Sequence, residues 1–147
     1  PGFGVETVYP TKNLIYISRS KVKRLARRVL NEEQVVAVLR PRGFQVLNLE
    51  DMTLKEQIAA FRNARIVVNS DGASGINMVF SQPGTIYFML AARTPYVSHL
   101  AYASIGNQCQ YGCIPCGYGD SDNNWPLFVD TDVLARVVDR ALKDAGF

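Results

Sequence analysis

The chain has 147 residues, of which 48% are hydrophobic and 20% charged, with a formal net charge of +3. This is enough apolar material for the core of one domain, which excludes a disordered chain. No apolar run approaches the roughly 20 residues that cross a bilayer, which excludes a transmembrane segment. The chain opens at Pro1, with neither a Met nor a signal pattern, so we expect a processed or excised piece of a longer protein.

Six basic residues are crowded into residues 19–28, a stretch that contains no acid. Outside it, ten basic residues face thirteen acidic ones. A cationic patch on an otherwise mildly acidic domain indicates an anionic ligand. The stretch also fits a solvated basic helix face, because its apolar residues have helical spacing. It contains no aromatic residue that could stack on bases, so nucleic-acid binding is not expected.

The first half of the chain alternates predicted strands and helices. Residues 14–17, an apolar run, and residues 44–49 are predicted strands. Between them, Asn31-x-x-Gln34 is a capping signal for a helix that Pro41-Arg42-Gly43 ends. Thr53-x-x-Glu56 is a capping box before a second helix. The apolar side of that helix consists of Leu54, Ile58 and Phe61.

The second half continues the alternation. We predict strands at residues 66–68 and 86–90, separated by a short helix at 75–80 and a turn at Pro83-Gly84. Further predictions are a loop or irregular helix at 95–105, an exposed loop at 116–124 and a closing helix at 130–145. Continuous apolar strands between capped helices indicate a doubly wound, Rossmann-like α/β fold with a parallel sheet covered on both faces.

In such a sheet, ligands bind beyond the carboxyl ends of the strands. After the third strand, Gly72 and Gly75 allow backbone N–H groups to approach an anion, next to the positive end of the following helix. The polar side chains Ser70, Ser74 and Asn77 lie in the same stretch. A tight strand-to-helix turn also needs glycine for conformational reasons alone, so this motif admits a purely structural interpretation.

A second polar corner, Ser18-Arg19-Ser20, follows the first strand. Arg is suited to bidentate recognition of phosphate. Because loops after neighbouring parallel strands converge on one edge of the sheet, the two corners together predict a site for a phosphate-bearing small molecule.

The succession "YISRSKVKRLARRVLNEE" and "GFQVLNLEDMTLKEQIAAFRNARIVVNSDGASGINMVFSQPGT" resembles glycosyltransferase family sixty-one. That family includes bacterial capsular polysaccharide biosynthesis proteins and eukaryotic N-acetylglucosaminyl- and xylosyltransferases. Its pattern has an Arg after the first strand, a basic pair before Asn-Glu, a Gln in the helix before the third strand, and a turn of the form G-P-H-G-A-G-L-T-N. The residues in these places are Arg19, Arg27, Arg28, Asn31, Glu32, Gln57, Gly72, Ala73 and Asn77.

The resemblance implies an inverting GT-B glycosyltransferase of polysaccharide or capsule biosynthesis. Residues 1–147 would be its C-terminal, nucleotide-sugar-binding domain, and the missing N-terminal domain would supply the saccharide acceptor site. The isolated piece is then expected to bind donor without turnover, to be cytoplasmic or at the inner face of the membrane, and to form homodimers through its uncovered apolar surface. The implied donor-binding residues are Arg19, Arg27, Arg28, Asn31, Gln57, Ser70, Gly72, Ala73, Ser74 and Asn77.

This sequence departs from the family pattern at Asp71, which stands where the family usually has His. Asp71 is therefore the candidate catalytic residue, either as a base or as a metal-binding residue. The same substitution is also compatible with a non-catalytic anion-binding or scaffold domain with an altered site. A need for a divalent metal stays open, and no tightly bound cofactor is expected.

Cys109, Cys113 and Cys116 form a C-x3-C-x2-C pattern. This spacing also occurs in iron–sulfur enzymes, but those place it early in a much larger barrel. Zinc would need a fourth ligand, and His99 is the only histidine. We therefore predict inert or partly buried thiols in preference to a disulfide or a metal site.

Overall fold

The computed structural model describes residues 13–22, 28–70, 72–92, 106–118 and 126–147. The strands are β1 (Asn13–Ser18), β2 (Phe44–Asn48), β3 (Ala64–Ser70), β4 (Ile86–Ala91), β5 (Gln110–Pro115), β6 (Gly117–Tyr118) and β7 (Leu127–Phe128). The α-helices are α1 (Glu32–Leu39), α2 (Leu54–Arg62) and α3 (Thr131–Asp144). Short 3₁₀ helices span Arg40–Arg42, Leu49–Asp51 and Ala73–Phe80.

Five strands form one parallel sheet in the order β2-β1-β3-β4-β5, and β6 and β7 form a separate antiparallel pair. Successive side chains of a strand point to opposite faces. Thus Leu14 and Tyr16 of β1 enter one core, whereas Ile15 and Ile17 enter the other. The predicted α/β fold with a parallel sheet buried on both faces is confirmed.

Different helices cover the two faces of the sheet. On one face, α1 and α3 pack together through buried residues such as Leu39 and Leu134. On the other face, Phe61 of α2 and Met78 of the 3₁₀ helix Ala73–Phe80 are completely buried. Burying each of these large side chains stabilises the fold by roughly 1.5–3 kcal/mol. Among the described residues, no helix has the length and apolar character needed to cross a membrane.

The helix boundaries follow the predicted capping residues, with one correction. The Thr53–Glu56 capping box of α2 is present. Gly43 ends the turn after α1 with φ of +87°, as the sequence predicts. The prediction that Asn31 caps α1 by its side chain is wrong, although α1 does begin at the next residue. The Asn31 amide instead bonds the backbone of Val129, so this side chain is used for a tertiary contact.

Other predictions need correction in the second half of the chain. Strand β5 was not predicted, because its Gln, Gly and Pro residues have low strand propensity. Pro115 is tolerated there since β5 is an edge strand of this sheet. Cys116 is buried and β6 follows directly, so the predicted exposed loop at 116–124 is wrong at its start. Residues 119–124 of that loop, and the predicted loop at 95–105, lie outside the described residues.

Two helix predictions also differ in detail. The helix predicted at 75–80 is a 3₁₀ helix that begins earlier, at Ala73. Leu54, predicted on the apolar side of α2, is 64% exposed because it is the first residue of that helix and lies beyond the edge of the packed face.

Candidate functional site

The order of the strands fixes where a ligand site can form. In the order β2-β1-β3-β4-β5, the chain turns to opposite sides after β1 and after β3. The segment after β1 leads to α1 on one face, and the segment after β3 leads to the 3₁₀ helix on the other. Such a topological switch point leaves a crevice at the carboxyl ends of the two strands. Both corners that the sequence predicts as polar lie at this crevice.

The corner after β1 is held by a chain of hydrogen bonds. Ser18 Oγ accepts from the backbone N–H of Ser20 at 3.1 Å and donates to Ser20 Oγ at 2.9 Å. Ser20 Oγ donates in turn to Asn48 Oδ1, at the end of β2, over 3.1 Å. Lys21 forms an ion pair with Asp51. These contacts fix the direction of the chain on both sides of Arg19.

Arg19 and Gly72 are in direct contact across the crevice. Gly72 has φ of +155°, a conformation that L side chains rarely adopt. A Cβ atom at Gly72 would overlap the Arg19 guanidinium, whose Cζ would lie only 3.3 Å away. The absent side chain therefore leaves room for the cation against the backbone after β3. Two residues that were predicted as ligand-binding are brought together here.

Ser70 lies at the end of β3, beside this contact. The residue is only 1% exposed, and its Oγ has no hydrogen-bond partner among the residues that the structure describes. A buried hydroxyl without a partner loses the hydrogen bonds it makes in water, which costs free energy. A ligand oxygen in the crevice would restore such a bond.

The polar residue before Ser70 has a structural role. Asn69 Nδ2 donates to Tyr87 Oη at 2.6 Å, and its amide exchanges hydrogen bonds of 3.1 Å with Ser74 Oγ. Asn69 was not among the predicted site residues. Its polarity inside an apolar strand was the available signal, since a buried amide must be hydrogen-bonded. These bonds attach the start of the 3₁₀ helix to the sheet.

The first turn of the 3₁₀ helix presents backbone donors at the crevice. Its first hydrogen bond runs from Gly75 N to Gly72 O at 3.0 Å. The N–H groups of Ala73 and Ser74 precede that bond and have no acceptor within the helix. Exposed Ala73 thus lies where its backbone can meet an anion.

Gln57 and Asn77 bind each other. Asn77 Nδ2 donates to Gln57 Oε1 at 3.1 Å. Gln57 Nε2 donates to the carbonyl oxygens of Leu49 and Met52 at 3.0 and 3.2 Å. The pair therefore joins α2 to the 3₁₀ helix. This contact supports the crevice from the face opposite α1.

The remaining predicted residues lie on the α1 side or outside the described part of the chain. Asn31 is committed to Val129, donating to its carbonyl at 2.8 Å and accepting from its N–H at 3.0 Å. Arg28 is half-buried, and its carbonyl accepts from Leu127 N at 2.7 Å. Arg27 and Asp71 lie outside the described residues. Their roles stay predictions.

One carboxylate on this side was absent from the predicted donor-binding set. Glu32, in the first turn of α1, accepts a hydrogen bond of 2.9 Å from Tyr16 Oη. Tyr16 is fully buried in β1. Burial, reinforced by the neighbouring carboxylate of Glu32, raises the pKa of Tyr16 well above its ordinary value, so the phenol stays protonated and donates.

The cysteines form no metal site within the described ranges, where no group of three His, Cys, Asp or Glu residues is placed to hold an ion. All three cysteines are described, and none of them forms a disulfide. Cys113 is exposed, Cys109 is half-buried and Cys116 is buried. Burial raises the pKa of the Cys116 thiol to about 12, with a smaller contribution from Cys113. Cys109 and Cys116 agree with the predicted inert or partly buried thiols, whereas the exposed Cys113 does not. His99 lies outside the described residues.

A groove of about 380 Å³ lies between α3 and the strands β4 and β5. Ile86 and Gln110, the first residues of the two strands, line it, so it lies toward their amino ends. Ligand sites of open α/β sheets form at the opposite edge. The position of the crevice, together with its Arg, glycine and buried hydroxyl, therefore makes it the better candidate for the ligand site.

A comparison with protein families gives one match. The model of the family described as Glycosyltransferase 61 matches residues 3–88, more than half of the chain. The matched part runs from before β1 into β4 and contains both corners of the crevice. The resemblance drawn from the sequence is confirmed. No curated protein matches the chain.

Proposed function

Because the chain belongs to glycosyltransferase family 61, we propose that it is the donor-binding domain of an enzyme that transfers a sugar from a nucleotide sugar. The observation that carries this proposal is the Arg19 guanidinium against the backbone of Gly72, beside the buried hydroxyl of Ser70. This corner suits a diphosphate, since it offers a fork of charged donors, backbone N–H groups and a hydroxyl.

The corner would act on the leaving group of the transfer. When the glycosidic bond to phosphate breaks, negative charge develops on the nucleoside diphosphate. Arg19 and the N–H groups of Ala73 and Ser74 would stabilise that charge, which is electrostatic catalysis by preorganised donors. We further propose an inverting transfer in polysaccharide synthesis with GT-B architecture. A facing domain would contribute the acceptor, and Asp71 is the candidate for a base or a metal-binding residue.

Calorimetric titration of the chain with UDP, GDP and CMP, with and without Mg²⁺ or Mn²⁺, tests the proposal. We expect one nucleotide to bind saturably. Arg19→Ala should weaken its affinity at least tenfold, because hydrogen bonds between charged groups contribute about 1.5–3 kcal/mol. The matched control is Arg62→Ala, which removes an exposed arginine from the last turn of α2.

Two results would contradict the proposal. One is equal affinity in wild type and Arg19→Ala. The other is the same loss in both arginine variants, which would indicate a diffuse charge effect instead of a site.

A further inference from the structure

The end of β3 carries two polar side chains that point to opposite faces of the sheet. Ser70 follows Val68 in the strand alternation and therefore lies on the face covered by α1. Asn69 follows Val67 and lies on the other face, where the 3₁₀ helix Ala73–Phe80 packs. Both Ser70 and Asn69 are only 1% exposed. These two neighbours in sequence therefore lie on different sides of the crevice.

The side chain of Asn69 holds the first turn of that 3₁₀ helix. Ser74 Oγ donates to Asn69 Oδ1 and accepts from Asn69 Nδ2, each over 3.1 Å. Asn69 Nδ2 also donates to Tyr87 Oη of β4 at 2.6 Å, so the amide is held from the sheet as well. In the family turn G-P-H-G-A-G-L-T-N, the positions of Asn69 and Ser74 are both Gly. The hydrogen-bonded pair is therefore a feature of this chain that the family turn does not contain.

The hydroxyl group of Ser74 is already used by this pair. A serine hydroxyl has one proton to donate, and that of Ser74 is directed to Asn69 Oδ1. A deprotonated phosphate oxygen is only an acceptor, so Ser74 Oγ has no proton left for it. The proton of Ser70 Oγ, by contrast, is not used by any of the described residues. The two serines therefore differ in what they can offer an anion.

Ser74 can still offer its backbone to a ligand. The N–H groups of Ala73 and Ser74 precede the first hydrogen bond of the 3₁₀ helix, from Gly75 N to Gly72 O at 3.0 Å. A short 3₁₀ helix has few hydrogen bonds of its own to hold its first turn. The bonds between Asn69 and Ser74 supply that hold, because they attach the turn to a buried strand. Donors that are fixed before the ligand arrives lose less entropy on binding.

We propose that Ser70 donates its hydroxyl proton to the ligand anion directly, whereas Ser74 acts only through its backbone. Asn69 is then a positioning residue, which holds the N–H groups of Ala73 and Ser74 toward the anion. This assignment rests on the proposed function. It divides two serines of the predicted donor-binding set into one that contacts the ligand and one that is held in place for its backbone.

Calorimetric titration with pyrophosphate measures both roles in variants of the chain. Ser70→Ala should weaken binding roughly tenfold, because a hydrogen bond to a charged group is lost. Ser74→Ala should weaken it roughly threefold to tenfold, because the backbone donors are no longer held. Ser74→Thr keeps the hydroxyl and should stay within about twofold of wild type. A loss of stability alone leaves the affinity unchanged as long as the variant stays folded.

Ser81→Ala is the matched control for these serine variants. Ser81 is also buried, and its Oγ has no hydrogen-bond partner in the described part of the chain. It lies just beyond the far end of the same 3₁₀ helix. This variant should bind pyrophosphate like wild type.

A double-mutant cycle separates positioning from contact. Asn69→Leu replaces the amide by an apolar side chain of similar size. If Ser74 acts through Asn69, the variant that combines Asn69→Leu with Ser74→Ala should bind within about twofold of the weaker single variant. The variant that combines Ser70→Ala with Ser74→Ala should instead show the product of the two single losses, since these serines act independently.

Hydrogen exchange of the Gly75 amide gives an answer even if Asn69→Leu does not fold. The hydrogen bond of this amide to Gly72 O closes the first turn of the 3₁₀ helix. In the ligand-free chain, Ser74→Ala should speed this exchange several-fold, because the turn opens more often. Ser70→Ala should leave it at the wild-type rate.

Three results would overturn the assignment while the proposed function stands. They are wild-type affinity for pyrophosphate in Ser74→Ala, wild-type affinity in Ser70→Ala, and losses that multiply when Asn69→Leu and Ser74→Ala are combined. The last result would show that Ser74 contacts the ligand by itself. Wild type that binds neither pyrophosphate nor any of the nucleotides would overturn the proposed function together with the assignment.

Discussion

At the scale of single residues, Gly72 is constrained both by its own backbone and by a neighbouring side chain. Its φ of +155° is strained for any L residue, and a Cβ would overlap the Arg19 guanidinium. We expect Gly72→Ala to lower the free energy of unfolding by about 1–3 kcal/mol and to weaken pyrophosphate binding roughly tenfold or more. Urea unfolding and calorimetry would measure the two effects.

Gly106→Ala is the control, since Gly106 has open space around the Cβ position and no positive φ. It should change neither quantity. If Gly72→Ala binds pyrophosphate like wild type, the contact between Arg19 and Gly72 does not shape the proposed anion site.

Sequence reasoning identifies residues well when their role is local. Arg19 and Gly72 stand out because a cation and a glycine follow apolar strands, and strand order then brings them together. The role of Asn31 could not be predicted, since its partner Val129 is 98 residues away. The hydrogen bond from Tyr16 to Glu32 could not be predicted either, because it depends on which face of β1 lies under α1.

At the scale of elements, α3 depends on its N-terminal cap. Asp130 Oδ1 accepts from the backbone N–H groups of Asp132 and Val133, both at 3.0 Å. We expect Asp130→Ala to lower the free energy of unfolding by about 1 kcal/mol. Asp130→Asn keeps an acceptor oxygen and should stay within a few tenths of a kcal/mol of wild type. Equal stability of the two variants in urea unfolding would contradict this assignment.

The elements that sequence patterns predict are those with strong periodicity or caps. Strands β1, β3 and β4 contain apolar runs, and the core-facing spacing of α3 matches its buried Leu134, Val138 and Ala141. Strand β5 lacks that signal, because half of its residues are polar, Gly or Pro. Its strand conformation comes from pairing with β4, which is a tertiary effect.

At the scale of the whole molecule, a buried thiol and a buried phenol should make the fold less stable at alkaline pH. Burial raises the pKa of Cys116 from an ordinary 9.0 to about 12, and that of Tyr16 well above 10.0. At a pH between the ordinary and the raised pKa values, these groups lose their protons in the unfolded chain but keep them in the folded chain. The free energy of unfolding should therefore fall as pH rises from about 9 toward 12. Urea unfolding at pH 8 and pH 11 would measure the fall.

Cys116→Ala removes one of these groups and should make the fall smaller, whatever its effect on stability at pH 8. Cys113→Ala alters the exposed neighbour and should keep most of the fall. An equal fall in wild type and Cys116→Ala would show that the buried thiol does not control the alkaline response.

The contact between Asn31 and Val129 has a consequence for the order in which this molecule assembles. It joins the start of α1 to the residue before the α3 cap. The isolated β-bridge between Val29 and Leu127 connects the same two parts of the chain. Closing a loop of such length costs chain entropy before any contact compensates for it. Since residues 3–88 include Val29 and Asn31 but lack their partners Leu127 and Val129, we expect the family-matched segment alone to fold poorly. During synthesis on the ribosome, the crevice would then reach its final geometry late, when α3 packs against α1 and the α1 start is fixed in place.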